Sequence, residues 1–149
     1  LDKTVYNNQF DISIENHGGL RMETYYEILK SIDNQYFGMT FDIGNFIRTG
    51  EKIEDAIDLL GNFIKVVHIK DFVLEGLTPG EPDGWWPTVA LGKGDLPLKN
   101  ILTSLHKLNY EGPVLVELMA PLDNEESESE TITKSLSFLN EQQSLHQLG

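Results

Sequence analysis

Residues 37–45 read FGMTFDIGN, an apolar run that ends on Asp42 and passes into a predicted exit loop at residues 43–45. Three further runs of the same form lie at residues 10–15 (FDISIE), 63–68 (FIKVVH) and 114–117 (VLVE). Each has the length of a β-strand, and each ends on an acidic residue or a histidine. We therefore expect four strands that end on the following residues: Glu15, Asp42, His68 and Glu117.

Segments with helical periodicity separate these strands. Apolar residues recur at intervals of three and four over residues 22–32, 53–60, 98–108 and 132–139, which predicts four amphipathic helices. Strands that alternate with helices are typical of a parallel α/β sheet with right-handed crossovers. In the first strand, Ser13 and Glu15 alternate with Ile12 and Ile14. A polar face of this kind favours a barrel over a flat doubly wound sheet, whose strands are usually apolar on both faces.

The four strand-end residues predict one site, because the carboxyl ends of parallel strands lie at the ligand-binding edge of α/β proteins. Three carboxylates and one imidazole suit Mn²⁺, Mg²⁺ or Co²⁺ better than Zn²⁺. A metal beside two glutamates would allow a proton to leave and rejoin a carbon of a keto sugar through a metal-stabilised enediolate. Taken singly, each residue is also explained as a helix cap, a surface acid, half of an ion pair or a core histidine.

Composition narrows the class of partner. The net charge of −13 argues against binding to a phosphate backbone, and no apolar run is long enough to span a bilayer. Five of the acids lie within residues 123–130 (DNEESESE), which we interpret as a solvated approach to a helix. The chain has no cysteine, which suits a cytoplasmic protein. The first residue is Leu1 and not methionine, so the sequence leaves open whether a targeting segment precedes it.

Residues 72–96 lack periodicity and are rich in proline and glycine, which predicts a long loop that leaves the same strand end as His68. Trp85 and Trp86 lie in this loop. They would either bind substrate by stacking on a sugar ring or closing as a lid, or anchor the loop on the body of the domain or in a contact between chains.

Short motifs occur in a distinctive order at residues 14–18 (IENHG), 41–45 (FDIGN), 67–71 (VHIKD), 91–95 (LGKGD) and 110–117 (YEGPVLVE). The series resembles the second half of the xylose isomerase-like TIM barrels. That superfamily includes sugar-phosphate isomerases and epimerases, ketose 3-epimerases, inosose dehydratases and endonuclease IV. The resemblance implies a TIM-barrel type of α/β fold with about four βα units, equivalent to strands five to eight. It also implies that residues 1–149 form a single domain, the C-terminal half of such a barrel.

The resemblance further implies roles at the site. The four strand-end residues would be the ligands of one divalent metal, and Glu15 and Glu117 would also be the catalytic acid/base pair. Asn45 stands where several relatives have a histidine. An asparagine at this position resembles the L-xylulose-5-phosphate 3-epimerase branch. Asn45 and His17 would bind substrate. Lys70 would contact a substrate oxygen or phosphate, or form an ion pair with Asp71 or another acid.

The chain departs from the family pattern in three respects. Lys93 stands where the family commonly has glutamate in a Gly-Glu-Gly turn, but the glycines themselves serve the turn. Residues 85–90 (WWPTVA) lack the extra ligands of the multi-zinc endonuclease, which argues against DNA repair. A complete barrel takes about 250 residues. We therefore expect a fragment of a longer protein, or half-barrels that associate with a missing half or with a second copy.

These observations favour a metal-dependent isomerase or epimerase acting on a sugar or sugar phosphate. One alternative is a dehydratase of a cyclic keto-polyol of the inosose or 3-dehydroshikimate type, which would reuse the same metal and base. Another is a non-catalytic half-barrel that serves as a binding or assembly module.

Overall fold

Four parallel strands form the main sheet of the computed structural model, which describes residues 10–17, 19–74, 86–119 and 127–146. The strands are β1 (Ile12–Glu15), β2 (Phe37–Asp42), β3 (Ile64–Ile69) and β6 (Val114–Val116). Their order across the sheet is β1-β2-β3-β6, which confirms the predicted parallel α/β sheet of four strands.

The register of the sheet aligns the strand ends. Glu15 is the lateral partner of Thr40, and Asp42 is the lateral partner of His68. Residues that pair across parallel strands lie on the same face of the sheet. The Ser13 and Thr40 hydroxyls on this face form a 2.6 Å hydrogen bond. The polar face predicted from alternation in the first strand therefore continues across the neighbouring strand.

The opposite face of the sheet carries the core. Its apolar side chains pack against the helices α1 (Met22–Ile32), α3 (Ile53–Leu60) and α4 (Leu98–Lys107), and a last helix, α5 (Glu128–His146), completes the described chain. The four predicted helices are these: the bounds of α1 and α3 agree with the prediction, α4 ends one residue earlier, and α5 extends beyond the predicted residues 132–139 at both ends. The fully buried side chains of this core include Met39, Phe41, Val67, Ile69, Ile57, Leu60 and Ile101. None of the helices in the described part of the chain has the length and apolar content needed to cross a membrane.

Residues 43–45, expected to be an exit loop, are instead the first turn of a short helix, α2 (Ile43–Arg48). The Asp42 side chain accepts a hydrogen bond from the Asn45 backbone N–H at 3.0 Å and caps this helix. The role of Gly44 in this helix is spatial. A Cβ at this position would lie 2.6 Å from Lys70 Cδ and 2.7 Å from Phe72 Cε2, so only glycine allows the helix to approach these two side chains this closely.

The segment at residues 72–96 is not one continuous loop. Asp71–Phe72 (β4) pairs in antiparallel fashion with Thr88–Val89 (β5), and a short 3₁₀ helix at Gly61–Phe63 precedes β3. Strands of two residues are too short to show a strand pattern in the sequence. The pairing of β4 with β5 brings Thr88 and Val89 beside the residues that follow β3.

Candidate metal centre

The four predicted strand-end residues meet in space. One ligand atom each from Glu15, Asp42, His68 and Glu117 lies within 4.8 Å of the other three. Asp42 and His68 occupy the two central strands, while Glu15 ends β1 and Glu117 follows β6 directly. The Glu117 N–H donates to the Ile69 carbonyl at 3.0 Å, which extends the sheet pairing to this residue.

His68 lies at the centre of the cluster. Its Nδ1 is 3.1 Å from Glu117 Oε2, 3.8 Å from Glu15 Oε1 and 3.9 Å from Asp42 Oδ2. Asp42 is fully buried, 22% of the His68 side chain is exposed, and 37% of each glutamate side chain is exposed. The cluster is therefore closed on the side of the central strands and open on the side of the two glutamates.

The residues present fit a divalent cation. His68 Nδ1 is buried without a hydrogen bond to any described residue, and it faces Asp42 Oδ2 and Glu117 Oε2. Lys70 contacts both of these oxygens, but one ammonium does not balance three carboxylates. A buried nitrogen without a hydrogen bond is costly and uncommon, so one that faces carboxylate oxygens calls for a cation that they share. Three carboxylates and one imidazole supply mainly oxygen ligands with one nitrogen, a set that holds divalent metals with room for substrate or water.

Asp42 is held by its neighbours in a fixed orientation. The Asn16 amide Nδ2 donates to the Asp42 carbonyl at 2.8 Å, and the Asp42 N–H donates to Asn16 Oδ1 at 2.7 Å. With Oδ1 accepting the Asn45 N–H, only Oδ2 faces the cluster. Asn16 was not singled out from the sequence. The available signal was an amide directly after a strand-end acid in the IENHG motif, where it can reach the neighbouring strand.

Lys70 directly follows β3, and its side chain reaches into the cluster. Its Nζ lies 2.7 Å from Asp42 Oδ2 and 2.8 Å from Glu117 Oε2, and 1% of the side chain is exposed. The ion pair considered in the sequence is therefore formed with the carboxylates of two cluster residues. The Asp71 carboxylate faces other partners, described below.

Burial and Lys70 act in opposite directions on the carboxyl groups of the cluster. Burial raises the pKa of Asp42 to about 6, although the charge and hydrogen bond of Lys70 oppose that rise. Burial also acts to raise the pKa of Glu117, but the hydrogen bond and charge of Lys70, together with the hydrogen bond of Asp42 and the charge of His68, outweigh it and the pKa is lowered. The better-solvated carboxyl is thus the more readily ionised one.

Asp71 organises the turn that carries the LGKGD motif. Its fully buried carboxylate accepts backbone N–H groups from Gly92 at 2.9 Å, Gly94 at 3.0 Å, Leu96 at 3.2 Å and Phe72 at 3.0 Å. Lys93 is exposed, so the residue that departs from the family pattern does not enter this network. Sequence inspection noted Asp71 only as a partner for Lys70 and missed this role.

Two predicted substrate-binding residues line a cavity beside the cluster. Asn45 Nδ2 is 3.4 Å from both Glu15 Oε1 and His17 Nδ1, which links the cluster to the cavity. The cavity has a volume of about 270 Å³. Its polar lining includes His17, Asn45, Asn16 and Arg48, of which Arg48 was not singled out from the sequence.

Of the two tryptophans in the predicted loop, the structure describes one. Trp86 is buried and packs edge-on against Phe72, with ring centroids 5.4 Å apart. This position matches the alternative in which the tryptophan anchors the segment on the body of the domain. Trp85 lies outside the described residues.

Comparisons with known proteins place the chain in a family. It is 31% identical over 83 residues to a putative L-ribulose-5-phosphate 3-epimerase of Escherichia coli K12, a match that covers 56% of this chain and 28% of that protein. It is 30% identical over 102 residues to an inosose isomerase of Bacillus velezensis, which covers 66% of this chain and 34% of that protein.

Among solved structures, the IOLI protein with a bound zinc atom superposes with a TM-score of 0.69 at 21% sequence identity. The match covers 89% of this chain and 48% of that one. The chain thus spans about a third of the curated relatives it matches and about half of this structural neighbour. The sequence profile described as "Xylose isomerase-like TIM barrel" matches residues 5–142. The chain therefore belongs to the xylose isomerase-like TIM-barrel family.

Proposed function

We propose that this chain carries the metal site of an isomerase or epimerase that acts on a sugar or sugar phosphate. The observation that carries the proposal is the convergence of Glu15, Asp42, His68 and Glu117 within 4.8 Å. The relatives named as an L-ribulose-5-phosphate 3-epimerase and an inosose isomerase support this class of reaction. We further propose that residues 1–149 act as one unit, the C-terminal half of a barrel.

The four clustered residues would hold one divalent metal. We propose Mn²⁺, Mg²⁺ or Co²⁺ because carboxylate oxygens outnumber the single imidazole nitrogen, and Zn²⁺ is the less favoured ion. When bound, the metal would polarise the carbonyl and the adjacent hydroxyl of the substrate. Lys70 and the Asn16 contacts would keep the Asp42 carboxylate oriented while substrate enters.

We propose that the two glutamates act on a substrate carbon from two sides. Glu15 ends one outer strand of the sheet and Glu117 directly follows the other, while Asp42 and His68 lie on the two strands between them. Each has 37% of its side chain exposed, so each can reach a bound sugar as well as the metal. One carboxylate would remove the proton from the carbon beside the carbonyl, and the other would return a proton on the opposite face. His17 and Asn45 would bind substrate hydroxyls from the adjacent cavity.

Glu117→Gln tests this proposal. The amide keeps the shape of the side chain but cannot accept the proton, so we expect exchange of solvent deuterium at the substrate carbon to slow by at least about 100-fold. Exchange is followed by NMR with ketoses and ketose phosphates in the presence of Mn²⁺. Circular dichroism of the variant checks that folding persists.

The matched control is Glu111→Gln, which changes an exposed glutamate in the segment leading into β6. We expect this control to exchange at the rate of the parent protein. Unchanged exchange in Glu117→Gln would contradict the assignment. A new ultraviolet-absorbing enone during the same incubation would instead favour the dehydratase alternative.

A further inference from the structure

Lys70 is a buried cation inside the proposed ligand set. Its ammonium contacts Asp42 Oδ2 at 2.7 Å and Glu117 Oε2 at 2.8 Å. These are the same two oxygens that face His68 Nδ1. The cation therefore shares its oxygen partners with whatever ion the cluster holds.

The side chain of Lys70 is fixed along its whole length. Its stem passes Gly44, where a Cβ would lie 2.6 Å from Lys70 Cδ and 2.9 Å from Lys70 Cγ. The ammonium also donates to the Met119 Sδ at 3.7 Å, in addition to its two carboxylate contacts. An ammonium has three donors, and all three face protein atoms. This arrangement favours a role in positioning over direct contact with substrate.

We propose that Lys70 is a positioning residue that holds the Asp42 and Glu117 carboxylates together in the metal-free protein and moderates the affinity of the cluster for a divalent cation. The inference rests on the proposed metal site. With three ionised carboxylates and Lys70, the cluster carries a formal charge of about −2, which one divalent ion neutralises. A neutral loaded site suits an uncharged sugar ring beside it.

Two effects of removing the Lys70 charge act in the same direction on metal binding. Two buried carboxylate oxygens would face each other without a cation, which destabilises the metal-free protein. A bound metal relieves that repulsion, and it is no longer repelled by a neighbouring ammonium. The loss of orientation opposes these effects only weakly, since Asn16 and Asn45 still hold Asp42.

The test uses Lys70→Met, which keeps the approximate length of the side chain and removes its charge. We expect the melting temperature of the metal-free protein to fall and Mn²⁺ to bind about tenfold more tightly or better, as measured by isothermal titration calorimetry. Added Mn²⁺ should also raise the melting temperature by more than in the parent protein. Equal or weaker Mn²⁺ binding would overturn the proposal.

The matched control is Lys65→Met, in the strand β3 that Lys70 directly follows. Lys65 donates to the Gln35 carbonyl at 2.7 Å and pairs with Asp11 at 3.3 Å, outside the cluster. Its loss should leave Mn²⁺ affinity unchanged, and a tightening equal to that of Lys70→Met would overturn the proposal.

A second variant, Lys70→Gln, covers the case in which the methionine variant does not fold. Glutamine keeps a hydrogen-bond donor but no charge, so Mn²⁺ binding should again tighten, and parent-like affinity would overturn the role of Lys70. If the parent protein itself binds no Mn²⁺, the metal site fails and this inference fails with it. If the parent binds Mn²⁺ and neither variant binds it more tightly, the inference alone fails.

Discussion

Asp42, the last residue of β2, and Asp71, the first residue of β4, are both completely buried acids at the same edge of the structure. The Asp71 carboxylate accepts four backbone N–H groups and closes a turn. The Asp42 carboxylate uses one oxygen to cap a helix and directs the other towards Lys70 and His68. A buried carboxylate whose oxygens are satisfied by the backbone stabilises a fold, whereas one with an oxygen among other ligand atoms can hold a cation.

The sharpest way to break this comparison is to make the same isosteric change at both positions. Asp71→Asn places an amide NH₂ against backbone N–H donors, so we expect the free energy of unfolding to fall by about 3 kcal/mol. Asp42→Asn removes a carboxylate oxygen of the proposed ligand set, so we expect Mn²⁺ affinity to fall by about 100-fold. Denaturant unfolding and calorimetric titration measure the two effects. If Asp71→Asn loses Mn²⁺ affinity as severely as Asp42→Asn while remaining folded, the division of roles is wrong.

A change of pH sharpens the comparison, because the proposed metal site requires an ionised Asp42 and does not involve Asp71. With a pKa of about 6 for Asp42, protons compete with the metal below that value. Mn²⁺ should therefore bind about tenfold more weakly at pH 5 than at pH 7. Calorimetric titration at both values measures this change, and an affinity that stays constant would contradict the assignment.

The same pKa gives the sign of the effect on the metal-free protein. The pKa of Asp42 is higher in the folded chain than its ordinary value of 3.8, so folding favours the protonated form. Stability contributed by this group is present below about pH 4 and is lost as the pH rises through about 6. Glu117, with a lowered pKa, acts in the opposite sense and stabilises the fold above its ordinary range. Thermal unfolding of the parent and of Asp42→Asn between pH 4 and pH 7 isolates the contribution of Asp42.

The smallest effect is expected at Lys93, in the turn that Asp71 closes. Lys93→Glu restores the residue that the family commonly has there. The turn is held through backbone N–H groups and the Lys93 side chain is exposed, so the free energy of unfolding should change by no more than about 0.5 kcal/mol. Denaturant unfolding measures this, and a loss of several times that size would show that the side chain takes part in the turn.

Much of the fold could be predicted because it depends on local patterns. The bounds of β2 and of α1 follow from a strand-length apolar run and a helical period, and both agree with the structure. The prediction of an exit loop at residues 43–45 was wrong, because these residues begin a helix. The conformation of this segment depends on the Asp42 cap and on the approach of Lys70 and Phe72, two residues that lie far from it in the sequence.

The candidate site could be predicted in part. Glu15, Asp42, His68 and Glu117 were identified from their equivalent positions at strand ends, and the structure brings all four together. Asn16, Asp71 and the partners of Lys70 could not be identified in this way. Each acts through a contact between strands or turns, and the sequence does not show which donor meets which acceptor.

The sequence alone therefore determined the alternation of strands and helices, the family and the four side chains at the strand ends, because these depend on periodicity and on the common direction of parallel strands. Only the tertiary structure decided which buried carboxylate closes a turn and which faces a cation. That outcome depends on the register between strands and on how each buried oxygen is satisfied, and both are set by packing between segments far apart in the chain.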